Sequence, residues 1–112
     1  MTVTTISPRQ FADLCKRGKI DLIDVRTPVE FREVHAADAR NLPLDRLDPA
    51  TVMQSRNGHK AEPLYVICHS GSRGRQACEM FLAAGFTNVV NVEGGTLAWA
   101  ECGLPEIGRA HV

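Results

Sequence analysis

The sequence predicts an α/β fold: a mostly parallel sheet of about five short strands, covered by helices on both faces and joined by right-handed crossovers. Three observations predict it. Short apolar runs with β-branched residues recur along the chain, at residues 22–25, 64–67 and 88–92. Segments with helical spacing and N-terminal capping residues lie between them. Glycine and proline punctuate the joins, as at Gly18, Gly85, Gly103 and Pro105.

The totals agree with this class. A chain of 112 residues fits one domain, with an ordered core expected over about residues 3–106. It is 44% hydrophobic and 23% charged, the balance of an ordinary globule that can bury a core without disulfides or metal. Its formal net charge of zero argues against a nucleic-acid binder that relies on bulk charge. Its longest apolar run is too short to span a bilayer. The cysteines are Cys15, Cys68, Cys78 and Cys102, with no C-x-x-C pair, so neither a zinc site nor a thioredoxin-type motif is suggested. An even count allows two disulfides. A domain of this size needs no such staple, however, and no signal peptide precedes its first segment, so a reducing cytoplasm is the expected setting.

The elements follow in order. Residues 3–6 form a first short strand. Ser7, Pro8 and Gln10 make a capping box, with Ser7 at the N-cap and Pro8 at the first helical position. Phe11, Leu14 and Cys15 give that helix an apolar stripe, and Gly18 ends it. Residues 21–25 form the second strand. Thr27, Pro28 and Glu30 repeat the capping box, and Phe31 and Val34 continue a short helix. His35 follows in a connecting segment as a hydrogen-bonding strut. Residues 39–42 suit a third strand. Asp48 and Pro49 cap another helix, with Leu47, Val52 and Met53 as its apolar contacts. Residues 55–63 are polar, with Asn57-Gly58 as a turn. After residue 87 comes a further strand at 88–92, then a Gly94-Gly95 turn opening a helix with Leu97, Ala98 and Trp99. Trp99 reads as a core anchor. The tail beyond Pro105 has no periodicity and is expected to be loosely held.

The stretch that carries chemistry is residues 64–86. A buried strand at 64–67 runs into Cys68-His69-Ser70-Gly71-Ser72-Arg73, and from Gln76 the period becomes helical, with Ala77, Met80, Phe81 and Ala84 on one face. Cys68 therefore stands where a strand ends and a helix begins. A loop of small residues can curl around its sulfur so that backbone N–H groups point inward, making an anion-binding concavity. The helix dipole reinforces it. Arg73 and Arg75 add formal charge, and His69 adjoins the thiol. These features favour the thiolate, which is the nucleophile. A free cysteine in a strand is often a small core residue instead. Packing alone, however, does not require Gly, Ser and Arg behind it.

Asp24 and Arg26 end the second strand. Ligands of open α/β sheets bind beyond the carboxyl ends of strands. If the second strand is a parallel neighbour of the one leading to Cys68, Asp24 and Arg26 approach the loop. With Glu30 they are read first as a structural ion-pair cluster that fixes a turn and supports the site.

Together these segments resemble the single-domain rhodanese family. Asp24-Val25-Arg26 with Glu30-Phe31 is similar to its D-V-R-x-x-x-E-[FY] segment. His35 and Asn41-Leu42-Pro43 resemble its G-H-I-x-G-A-x-N-[LI]-P segment, with Val34 and Asp38 in place of two glycines. The 68–73 loop resembles its C-x-x-G-x-R active loop. Gly94-Gly95, Trp99 and Gly103-Leu104-Pro105 resemble its closing segment. The resemblance implies a rhodanese-like fold and a sulfurtransferase. Cys68 would take a sulfane sulfur from thiosulfate or another small anionic donor as a persulfide, and a thiol or cyanide acceptor would remove it. A protein could also serve as sulfur acceptor. Backbone N–H groups of His69, Ser70, Gly71, Ser72, Arg73 and Gly74 would hold the persulfide. No metal or organic cofactor, nucleic acid or membrane is implied.

Gly74 stands where the family often carries Ser or Thr, which softens the helix start. The six residues from Cys68 to Arg73 are one fewer than in related phosphatases and arsenate reductases, which argues against those activities. A docking or sulfur-relay module is the alternative function. Cys78, ten residues past Cys68, could in principle resolve a persulfide, but packing is the preferred reading.

Overall fold

A computed structural model describes residues 2–18, 20–56 and 62–108. Its centre is a five-stranded sheet in the order β1-β6-β5-β2-β4. The strands are β1 (Thr4–Ile6), β2 (Leu22–Asp24), β4 (Ala39–Asn41), β5 (Leu64–Ile67) and β6 (Val89–Val92). Every pairing within it is parallel. The helices are α1 (Pro8–Cys15), α2 (Pro28–Glu33), α3 (Pro49–Ser55), α4 (Ser72–Ala83) and α5 (Gly95–Glu101).

Strand alternation divides the core into two layers. On one side Ile23, Val25, Leu64, Val66 and Cys68 pack with Val52 and Met53 of α3 and with Ala77, Cys78 and Phe81 of α4. On the other, Leu22, Tyr65, Ile67 and Val92 pack with Phe11 of α1 and Trp99 of α5. Trp99 is the expected anchor: its ring lies 5.8 Å from Phe11, and its indole N–H donates to the Pro105 carbonyl at 2.8 Å. Both capping boxes form, Ser7 with Gln10 and Thr27 with Glu30, so α1 and α2 start where the sequence places them.

Three expectations are corrected. Val34 does not continue α2. It takes φ −165° and ψ 141° and begins β3 (Val34–Ala36), in which His35 also lies. Because that backbone is extended, Val is acceptable where the family pattern has Gly. The chain after Pro105 is not loose along residues 106–108: β7 (Glu106–Gly108) pairs antiparallel with β3, a link between distant segments that no periodicity announces. And α4 begins at Ser72, four residues before its periodic pattern shows, because Gly71 at φ 111° turns the chain directly into the helix. The expected Asn57-Gly58 turn lies outside the described residues. No helix among the described residues is long and apolar enough to cross a membrane.

Candidate active site around Cys68

β5 delivers Cys68 to the carboxyl edge of the sheet, between β2 and β6. The residue is 1% exposed and all four cysteines are free thiols. The next turn curls back so that the Gly71 N–H donates to the Cys68 sulfur at 3.0 Å. That geometry depends on Gly71, whose left-handed φ is strained for any residue with a Cβ.

The start of α5 fixes the loop from outside. Thr96 donates its N–H to the Cys68 carbonyl at 2.7 Å and its hydroxyl to the same oxygen at 3.0 Å, while Leu97 N–H reaches the His69 carbonyl at 3.1 Å. A Cβ at Gly95 would lie 2.3 Å from the Cys68 carbonyl oxygen, so glycine is required for this approach. The turn therefore serves backbone geometry, as expected of Gly94-Gly95.

The charged residues fall into two separate pairs. Asp24, fully buried, accepts from the Arg26 backbone N–H and from its Nε and Nη2, the closest contact being 2.8 Å; Nη2 also donates to the Val34 carbonyl at 2.7 Å. That pair is structural: it ties the end of β2 to the start of β3. Glu30 is not part of it. Its carboxylate takes a bidentate contact from Arg73 at 2.7 and 3.0 Å. The Arg73 hydrogen bond holds the Glu30 carboxyl at about 2, well below the usual range, with the Thr27 contacts adding to the effect. Arg73 in turn is raised by Glu30 and, more weakly, by the Cys68 and Asp24 charges. Thus the single three-residue cluster expected from sequence is corrected: one member reaches out of it to hold the loop arginine.

The model of the rhodanese-like domain matches residues 7–102. This chain belongs to the rhodanese-like domain family. It is 38% identical to the Synechocystis protein slr1261 over 95% of this chain and 57% of that protein, so it spans little more than half the length of that relative. It is 37% identical to a protein of Allochromatium vinosum named sulfurtransferase, over 75% of each chain. Among solved structures, a rhodanese-related protein from Thermoplasma volcanium superposes with a TM-score of 0.70 at 29% identity, covering 93% of this chain and 97% of its own.

Within this rhodanese-like domain the expected loop residues take distinct places. His69, Ser70 and Ser72 are exposed and Gly74 is buried. Arg75 points to solvent and pairs loosely with Glu79 at 3.9 Å. His35 is the strut expected: its Nδ1 contacts the Phe31 carbonyl at 2.7 Å and its ring stacks on Phe31 at 3.7 Å. Cys78 is fully buried, and burial, with smaller contributions from Cys68 and Glu79, pushes its thiol up to about 12.

Sequence reasoning passed over Asn91. It lies in β6 on the same sheet face as Cys68, is 5% exposed, and donates its amide Nδ2 to the Gly71 carbonyl at 3.1 Å. The available signal was a polar residue between Val90 and Val92 in a strand otherwise read as β-branched and apolar.

Proposed function

We propose that this chain is a sulfurtransferase in which Cys68 carries sulfane sulfur as a persulfide. The observation that supports the reading most is the Gly71 N–H aimed at the Cys68 sulfur, 3.0 Å away, at the junction of β5 and α4. A backbone donor fixed there stabilises negative charge on sulfur without reorganising.

In the first half-reaction the Cys68 thiolate attacks the outer sulfur of thiosulfate. The new S–S bond leaves Cys68 as a persulfide anion, and sulfite departs with the electron pair of the broken bond. In the second, cyanide or a thiolate attacks the terminal sulfur. Thiocyanate or a new persulfide leaves, and the Cys68 thiolate returns. Arg73, held by Glu30, keeps the far side of the loop in place and contributes positive charge near the incoming anion. The relative named sulfurtransferase supports the same class of reaction. Four free cysteines suit a reducing compartment, and we place the chain in the cytoplasm.

The test is the intact mass after incubation with thiosulfate. The parent gains about 32 Da, one sulfur atom, and Cys68→Ser does not. A gain retained in Cys68→Ser, or absent from the parent when both thiosulfate and a protein persulfide are offered, overturns the reading.

A further inference from the structure

Asn91 Oδ1 is buried and has no hydrogen-bond partner among the described residues. Such an atom costs free energy, and native folds rarely leave one without a reason. Its position is defined by Gly74. A Cβ built on Gly74 would lie 2.2 Å from Asn91 Oδ1 and 3.6 Å from the Cys68 sulfur. The oxygen and the sulfur therefore flank the same small space, which exists because residue 74 is glycine. The orientation of the amide is fixed from its other end, since Nδ2 donates to the Gly71 carbonyl at 3.1 Å. The same Gly71 gives its N–H to the sulfur at 3.0 Å.

We propose that Asn91 is a positioning residue for the Cys68 sulfur, with its amide nitrogen fixing Gly71 and its amide oxygen accepting from the sulfur when the sulfur carries a proton. One side chain thus serves both states of the reacting atom. Nδ2 aims the Gly71 donor that holds the anion, and Oδ1 gives the protonated form an acceptor in a site that excludes water. Gly74 is the partner of this device. Any side chain there displaces the oxygen and, with it, the grip on Gly71.

The inference rests on Cys68 as the reacting group. Its test is alkylation by iodoacetamide, which does not require sulfur transfer, so its failure is separable from failure of the persulfide experiment. The groups that interact electrostatically with Cys68 are Arg73 and Cys78 of α4; Glu30 of α2 and Asp24, paired with Arg26 at the end of β2, act on Arg73, Glu79 acts on Cys78, and His69 adjoins Cys68 in the chain. All are unchanged in the variants. Asn91→Asp keeps the shape but removes the donor to Gly71 and sets a carboxylate beside the sulfur. The pH midpoint of Cys68 alkylation should rise by about one unit or more, a tenfold loss of rate below it. Asn91→Ala and Gly74→Ala should each slow Cys68 alkylation, by about tenfold for the lost grip on Gly71. The double variant should be no slower than Asn91→Ala within about twofold, because the new methyl then has no oxygen to displace. Additive losses in the double variant, or a midpoint unmoved in Asn91→Asp, overturn the proposal. If Asn91→Asp does not fold, the alanine pair decides alone.

Discussion

Glu30 does two things with one carboxylate. Oε1 closes the capping box of α2 by accepting from the Thr27 N–H at 3.1 Å, and both oxygens receive Arg73 from the active loop. The start of α2 and the start of α4 are therefore held to each other through a single side chain. Both partners are about one-third exposed, at 34% for Glu30 and 32% for Arg73, so water screens the pair and its contribution to stability is about 1 kcal/mol. Its contribution to geometry is larger, since Arg73 lies in the first turn of α4, directly behind the Cys68 loop. Glu30→Gln should lower sulfur-transfer kcat/KM by about tenfold while costing only a few degrees of Tm. The pH dependence has a definite sign. The Glu30 carboxyl is lowered from 4.5 to about 2 on folding, so the stability it contributes is complete above about 4.5 and is lost as pH falls through 2. Melting curves of the parent and of Glu30→Gln, recorded from pH 7 down to pH 2, should keep a constant separation above pH 5 and converge below it. Convergence above pH 5 would show that another group carries the effect.

The elements separate into those that announce themselves and those that depend on a distant partner. α1 and α2 carry capping boxes and proline at the first position, and the buried strands β2, β5 and β6 are apolar and β-branched; local chemistry decides each of these. β3 and β7 have three residues each and exist through one another, with His35 opposite Ile107. A pairing across so much chain leaves no periodic trace in either segment. The same reason hid Asn91: only the register of β6 against β5 brings that amide over the Cys68 loop. By contrast the position of Cys68 between strand and helix and the turn at Gly71 were legible because both arise within one turn of chain. Glu30 was placed with its sequence neighbours because its real partner lies 43 residues away. The β3–β7 link can be tested directly. Gly108 has φ 143°, and a Cβ there would lie 2.2 Å from the Glu33 carbonyl oxygen. Ending the chain after Pro105 removes this ribbon but keeps the Trp99–Pro105 hydrogen bond. That truncation should speed amide exchange at His35, which the register sets opposite Ile107 in a hydrogen-bonded pair, and leave Val34, whose N–H donates to the Glu30 carbonyl, unchanged; Tm should fall by roughly 5 °C, for about 1 kcal/mol of lost backbone bonds. Exchange in β5 should not change; if it does, the ribbon is part of the central fold instead of an addition to it.

On the scale of the whole molecule, both core layers converge on Cys68. The layer beneath α3 and α4 packs against its side chain, and the start of α5, from the opposite layer, binds its carbonyl. The Cys68 sulfur is thus bound to the global fold, although the loop around it is short. Cys78 reports on the same architecture from inside. It is fully buried in the α3–α4 layer, and burial raises its thiol to about 12, so at pH 8 about one part in ten thousand is thiolate. A persulfide on Cys68 would need a Cys78 thiolate to resolve it into a disulfide, and this environment withholds one. Cys78 should accordingly react with iodoacetamide only through unfolding, at a rate slowed on the order of a thousandfold or more relative to the denatured chain. Peptide mass spectrometry across a guanidinium series would follow it. Cys78 labelling should rise together with the global transition seen by Trp99 fluorescence, and Cys68 labelling should precede it. Labelling of Cys78 well below that transition would mean that α4 opens by itself, and would restore a chemical role for the second thiol.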